Sequence, residues 1–175
     1  ILINLGKLKD AEISIRKAIE LNSNLAEAYL NLSCLELLQG NYQSGFENYE
    51  FRFKTKKPPL LHGNPQIKKI LGTRLQKREK LLVISEQGLG DTIQYMRYIP
   101  YLREQGIDIS FCAQEKLHSL IQSSGIDPNP LTPEKANKVS EGSWIPLLSL
   151  PKYLEITPNH PIITEPYIYS TDELN

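Results

Sequence analysis

The sequence predicts a mixed fold of class α + α/β, with helical hairpins first and a parallel-sheet half-domain after them. Three observations carry this. The first third repeats itself at a fixed offset, an apolar run at 81–84 leads straight into a glycine-rich loop, and strand-like and helix-like segments alternate from there on.

The repeat decides the first part. Gly6, Leu8, Ala11 and Ile15 are followed 34 positions later by Gly40, Tyr42, Gly45 and Tyr49, and that is the period of the tetratricopeptide repeat. Two antiparallel helices and their turns consume such a length, with small residues where the helices cross closely. Residues 10–21 read as one helix with Ala11, Ile15, Ala18 and Ile19 on a single face. Asn22-Ser23-Asn24 breaks it, and Asn24 with Glu27 has capping-box spacing for a helix over 25–39. Gly40-Asn41 ends that helix, and 42–53 forms its partner. Residues 1–54 are therefore expected to be tetratricopeptide hairpins, about one and a half repeats where a free-standing array needs three or more. The start at Ile1, in mid-repeat, adds the expectation of further repeats upstream.

Residues 55–79 read as a basic linker. Pro58-Pro59 and Gly63-Asn64-Pro65 interrupt any period, and Lys56, Lys57, Lys68, Lys69, Arg74, Lys77 and Arg78 face a single acid, Glu79. Two readings stand: a solvated cover over a domain junction, or a patch for a phosphorylated or otherwise anionic ligand.

From Lys80 to residue 175 the pattern is α/β. The run Leu81-Leu82-Val83-Ile84 suits a buried parallel strand. Residues 92–105 read as a helix that Pro100 must kink or interrupt. A second strand is expected at 107–112, a helix at 115–123, turns at 125–130, a third strand at 143–147 and a short helix near 151–155. Strands alternating with helices imply a parallel sheet.

Composition narrows the function classes. The chain of 175 residues is 40% apolar and 23% charged with a formal net charge of zero, so no global field argues for nucleic acid or an anionic surface. Cys34 and Cys112 are far apart and read as buried thiols. His62, His118 and His160 are scattered without ligand spacing, so neither a metal nor a cofactor is expected. No apolar run reaches the roughly 20 residues of a membrane span, and the expected location is cytoplasmic, including the inner face of the membrane.

The loop Glu86-Gln87-Gly88-Leu89-Gly90-Asp91 stands where an open parallel sheet places its ligands. A dinucleotide fingerprint would need glycine at Ile93, and a phosphate-binding P-loop would need Gly-Lys-Ser/Thr, which is absent. Gly88 and Gly90 would let the backbone turn tightly and admit a ligand. Asp91 has two readings: an N-cap with Gln94 at N3, or a general base toward an acceptor hydroxyl. Glu86 either shares the second role or pairs with Arg97 or a basic linker residue.

The stretch 85–95, Ser-Glu-Gln-Gly-Leu-Gly-Asp-Thr-Ile-Gln-Tyr, with Arg97-Tyr98-Ile99-Pro100 after it, resembles the signature of bacterial tetratricopeptide-repeat glycosyltransferases related to the heptosyltransferase group. Residues 45–53, Gly-Phe-Glu-Asn-Tyr-Glu-Phe-Arg-Phe, are similar to that family's last repeat helix. Residues 146–151, Pro-Leu-Leu-Ser-Leu-Pro, are similar to its Pro-Leu-x-Ser-Leu-Pro element. The linker lacks the tryptophan common in such proteins, and Gly142-Ser143-Trp144 replaces an acidic position. Trp144 reads either as a core or edge residue or as a platform for a sugar.

This resemblance implies a GT-B-type enzyme, of which residues 80–175 are the N-terminal Rossmann-like half, truncated. It would transfer a hexosyl or heptosyl group from a nucleotide sugar, held by a C-terminal half not in this chain, to a hydroxyl of a glycan or protein. This piece alone would be inactive. Asp91 would be the catalytic carboxylate, with Glu86, Gln87, Gly88, Leu89 and Gly90 forming the acceptor floor and Arg97 making a salt bridge within the fold. No metal would be needed. The repeats would recruit the acceptor or a protein partner, with Asn31 on their exposed surface. The alternative is a non-catalytic tetratricopeptide scaffold whose loop only caps a helix.

Overall fold

A computed structural model describes residues 2–70, 78–162 and 165–169. It divides into a helical unit, Ile1–Pro59 with Glu155–Pro161, and a sheet unit, Leu60–Leu154 with Ile162–Asn175. Arg74 and Lys77 of the basic stretch lie outside the described residues.

In the helical unit, α1 (Leu8–Leu21), α2 (Ala26–Leu38) and α3 (Tyr42–Tyr49) pack in succession, and a 3-10 turn at Glu50–Lys54 follows. The offset seen in the sequence returns in the backbone. Gly6 and Gly40 are both left-handed, at φ 71° and 81°, and the residues after them, Lys7 and Asn41, enter their helices at φ −82° with ψ 62° and 66°. Ala11 and Gly45 are both buried. At Gly45 the reason is direct, because a β-carbon would stand 2.8 Å from Leu37 Cγ and 3.2 Å from its backbone nitrogen. α2 and α3 approach at a distance that only glycine permits.

Two local expectations are corrected. Asn24 and Glu27 form no capping box: Leu25 is the N-cap residue of α2 and has no side-chain cap. Asn22 Oδ1 accepts from the Asn24 N–H at 3.0 Å, and Glu27 Oε1 accepts from the Lys56 N–H at 3.1 Å. The helix expected over 42–53 tightens into the 3-10 turn after Tyr49. There Arg52 turns back, and its Nη1 donates to the Tyr49 carbonyl at 3.1 Å and to Glu50 Oε1 at 2.8 Å. A helix-end carbonyl is satisfied by a side chain, so the last turn need not continue the α ladder.

The sheet unit holds four parallel strands, β1 (Lys68–Lys69), β2 (Lys80–Ile84), β3 (Asp108–Cys112) and β4 (Ser143–Pro146), in the order β1-β4-β2-β3. β1 lies within the stretch read as linker. Two lysines at a sheet edge carry no alternating apolar pattern by which a sequence could announce a strand. β2 is central, and Leu81, Leu82, Val83 and Ile84 are all buried, as a strand covered on both faces requires. One face presents Leu82, Ile84, Cys112 and Trp144, packed with Leu61, Ile67, Leu131, Ala136 and Val139. Register puts Val83, Phe111 and Ile145 side by side on the other, and α5 (Tyr98–Glu104) packs against β3.

The single helix expected over 92–105 is two helices, α4 (Leu89–Tyr95) and α5, separated at Met96 and Arg97. Pro100 explains the position of the break. Its ring clashes with the carbonyl four residues back, at Met96, and its missing N–H is harmless in the first turn of a new helix. After β3 come a 3-10 turn and α6 (His118–Ser123), then α7 (Pro133–Ala136), opened by Thr132 capping and Pro133 at its start. A 3-10 turn at Leu147–Ser149 and α8 (Leu150–Tyr153) follow β4. Among the described residues no helix is long and apolar enough to cross a membrane.

Candidate functional site

All four strands run parallel, so the segments leaving β2, β3 and β4 emerge on one edge. The chain departs β2 toward β3 and later returns to β2's other side as β4. In open parallel sheets ligands sit beyond the strand ends at such a reversal, and residues 85–91 follow β2 at that end.

The loop is fastened from three directions. From below, the segment Leu60-Leu61-His62 runs antiparallel to it: Leu61 bridges Glu86, Leu60 O accepts from the Gln87 N–H at 3.1 Å, and Ser85 O accepts from the His62 N–H at 3.0 Å. His62 Nδ1 lies 3.0 Å from the same carbonyl and 3.2 Å from Ser85 Oγ. From the β3 side, Gln114 Nε2 donates to the carbonyls of Gln87 and Gly88, and Thr92 Oγ1 donates to Gln114 Oε1 at 2.8 Å. From the β4 side, the Leu148 N–H donates to Glu86 Oε1 at 3.2 Å.

This last contact corrects the reading of Glu86. The residue has no exposed surface, and its carboxylate is turned inward to hold the turn after β4. A group so placed does not meet a ligand arriving from solvent, so Glu86 is part of the loop's frame and not of its open surface.

Asp91 is corrected in register. α4 begins at Leu89 with Gly88 as its N-cap, so Asp91 is the third helical residue and not the cap. Its Oδ2 accepts from the Gly88 N–H at 3.1 Å. Glycine has no side chain to return a bond, so only this backward half of a capping box exists. The side chain is half-buried, and this is its one hydrogen bond among the described residues, which leaves Oδ1 open.

The glycines do a different task from the one expected. The tight turn is made by Gln87, at φ 63°, and not by Gly88, at φ −85°. Gly90 sits in the first turn of α4, where a β-carbon would meet nothing within 4 Å. Glycine in a helix costs about 1 kcal/mol against alanine, and neither backbone nor packing requires it here. Gly88, Leu89 and Gly90 are exposed, Leu89 by 42%. Together they form a low, bare ledge beside Asp91.

The remaining residues singled out in the sequence scatter. Asn31 is exposed on α2 in the helical unit. Arg97 Nε donates to Gln94 O at 2.7 Å and Nη2 to the Tyr167 hydroxyl at 3.0 Å, with its guanidinium 4.6 Å from the Tyr167 ring centre. Trp144 is partly buried in the core face described above, with Lys69 Nζ 5.5 Å from its ring. His118 and His160 bond to the backbone at Ala113 and Asn159. Among the described residues no three His, Cys, Asp or Glu side chains group to hold a metal ion.

Cys112, at the end of β3, is fully buried in the core beneath His62. Its Sγ donates to His62 O at 3.2 Å, and burial pushes its thiol up to about 12 from an ordinary value of 9, with the Glu134 charge adding to the shift. The folded state thus holds this proton more tightly than the unfolded chain. The stability it represents is complete below pH 9 and is lost as pH rises toward 12. We expect the urea midpoint to fall more steeply between pH 8.5 and 10.5 in the native protein than in Cys112→Ala; equal slopes would refute the assignment.

Leu60, Leu61 and Gln114 were not singled out from the sequence, while His62 was read only as a histidine without ligand spacing and Leu148 only as part of the 146–151 element. Gln114 had a signal, as the first polar residue after the second strand, where site residues concentrate. No family model matches the chain, and no curated protein or solved structure matches it either.

Proposed function

We propose that the sheet unit is the acceptor-side, Rossmann-like half of a GT-B-type glycosyltransferase, and that the helical unit is of tetratricopeptide type and recruits the acceptor or a protein partner. The observation that carries this reading is the bare ledge Gly88-Leu89-Gly90 at the reversal point of a parallel sheet, with one oxygen of Asp91 free beside it. A glycine that the fold does not need, in a helix's first turn, keeps space for something that is not part of the fold.

On this reading an acceptor hydroxyl rests on the ledge. As its oxygen bonds to the sugar's anomeric carbon, the bond from that carbon to the nucleotide diphosphate breaks, and the hydroxyl proton passes to Asp91 Oδ1. Oδ2 meanwhile stays on the Gly88 N–H and fixes the carboxylate's orientation. The donor is assigned to a second half-domain of the same protein, where helix dipoles and basic side chains would stabilise the departing diphosphate without a metal. The exposed face of α2 that carries Asn31 is assigned to the partner, and the setting to the cytoplasm or the inner membrane face.

The test uses the full-length protein, a panel of nucleotide sugars and detection of released nucleotide diphosphate. Asp91→Asn keeps an oxygen that can accept from the Gly88 N–H but removes the base. Turnover is expected to fall by about 10²- to 10⁴-fold with the melting temperature nearly unchanged. Near-native turnover in Asp91→Asn would reduce Asp91 to a helix cap. No turnover of any nucleotide sugar by the native protein would favour the scaffold.

A further inference from the structure

The side chain of Gln114 sits between two elements that the proposed reaction needs held still. Its amide orientation is fixed by its neighbours. Gln87 O and Gly88 O can only accept, so the NH₂ must face them, at 3.4 Å each. Its oxygen then faces the Thr92 hydroxyl, which donates to it at 2.8 Å. Thr92 is fully buried and lies next to Asp91. The same hydroxyl is 3.4 Å from Gly88 O, a poorer partner, so its single proton goes to Gln114.

The two carbonyls belong to the residues where the chain changes hand. Gln87 is left-handed at φ 63°, and Gly88, at φ −85°, begins the entry to α4. A non-glycine residue in that region is strained and persists only where its surroundings hold it. Among the contacts that do so are Leu60 O on the Gln87 N–H, Glu86 on Leu148, and Gln114 on both carbonyls. Of these, only Gln114 also grips α4 itself, through Thr92. The Asp91 bond to the Gly88 N–H ties the carboxylate to the ledge, and the Gln114 amide joins the turn before the ledge to the first turn of α4.

We propose that Gln114 is a positioning residue for acceptor transfer, acting through the Gln87-Gly88 carbonyls and Thr92 and not on substrate; this rests on the transferase reading above. Gln114→Glu tests it with little change in volume. The variant keeps an oxygen for Thr92 but replaces the donor NH₂ with an oxygen facing two carbonyls, which repel it. Thr92→Val removes the other grip, and Thr92→Ser restores the hydroxyl.

In the full-length protein, hydrogen exchange of the amides of residues 87–91 is expected to speed up at least about tenfold in Gln114→Glu. kcat/KM for the acceptor should fall about 10- to 100-fold, the scale on which small misplacements act, while KM for the nucleotide sugar stays constant. Thr92→Val should move the same way, and Thr92→Ser should stay near native. Unchanged loop exchange in Gln114→Glu overturns the proposal, as does a loss shared equally between acceptor and donor parameters. If the native protein turns over no nucleotide sugar, the transferase reading fails separately. The exchange arm then decides alone whether Gln114 holds the loop.

Discussion

Gly142→Ala is expected to be the most damaging small substitution in the sheet unit, costing about 3–5 kcal/mol from backbone strain and overpacking together. Gly142 is left-handed at φ 84°, and it delivers the chain into β4 directly alongside the start of β2. A β-carbon there would overlap the Lys80 carbonyl oxygen and stand 2.7 Å from Lys80 Cβ and 2.9 Å from its carbonyl carbon. These are backbone and near-backbone atoms of the central strand, which cannot rotate aside. Gly106 and Gly125 provide the control. Both are left-handed, at φ 81° and 69°, but open onto space, so alanine at either should cost only the 1–2 kcal/mol of the conformation itself. Urea unfolding followed through Trp144, the one tryptophan, would separate the two effects. If Gly142→Ala matched Gly106→Ala, the steric half of the argument would be wrong.

Arg52→Ala should have an effect of similar size on the helical unit. Arg52 is 2% exposed, pairs with Glu50 at 2.8 Å, and has its guanidinium 4.4 Å from the Tyr49 ring centre and 4.2 Å from that of Phe53. Removing one partner of a buried pair costs about 3–5 kcal/mol when the remaining charge has no escape. Glu50 is 22% exposed, so the lower end of about 3 kcal/mol is expected. Arg52→Lys should recover little, because an ammonium cannot stack flat between rings while bonding to Glu50 and the Tyr49 carbonyl. Thermal unfolding of the helical signal measures both variants. A lysine variant as stable as the native protein would show that charge alone, and not the planar group, matters there.

How much of this was legible depended on the kind of signal. β2 and β3 were placed within a residue or two because the apolar run of one and the alternation of the other are each local patterns of a strand. The break at Pro100 could be anticipated because proline's clash acts four residues back. β1 was hidden, since two lysines pairing with Ser143 and Trp144 depend on a partner far along the chain. The site divided in the same way. The loop was found from its position after a strand, but the roles inside it depend on what surrounds it. Glu86 is turned inward by Leu148, Asp91 is shifted in register because α4 starts three residues earlier, and Gln87, rather than a glycine, makes the turn. Each of these is a long-range contact or a dihedral, and neither is written in local spacing.

The pairing of β1 with β4 also sets an order of events during synthesis. Lys68 must wait for Ser143 before its edge is covered, and β2 stays open on one side until β4 emerges. The helical unit waits longer still, because it takes in Glu155–Pro161, made after the last strand. Neither unit is finished until that stretch has left the ribosome. Until β4 emerges, nascent β2, apolar along most of its length, keeps an unpaired strand edge, the feature through which unfinished chains associate.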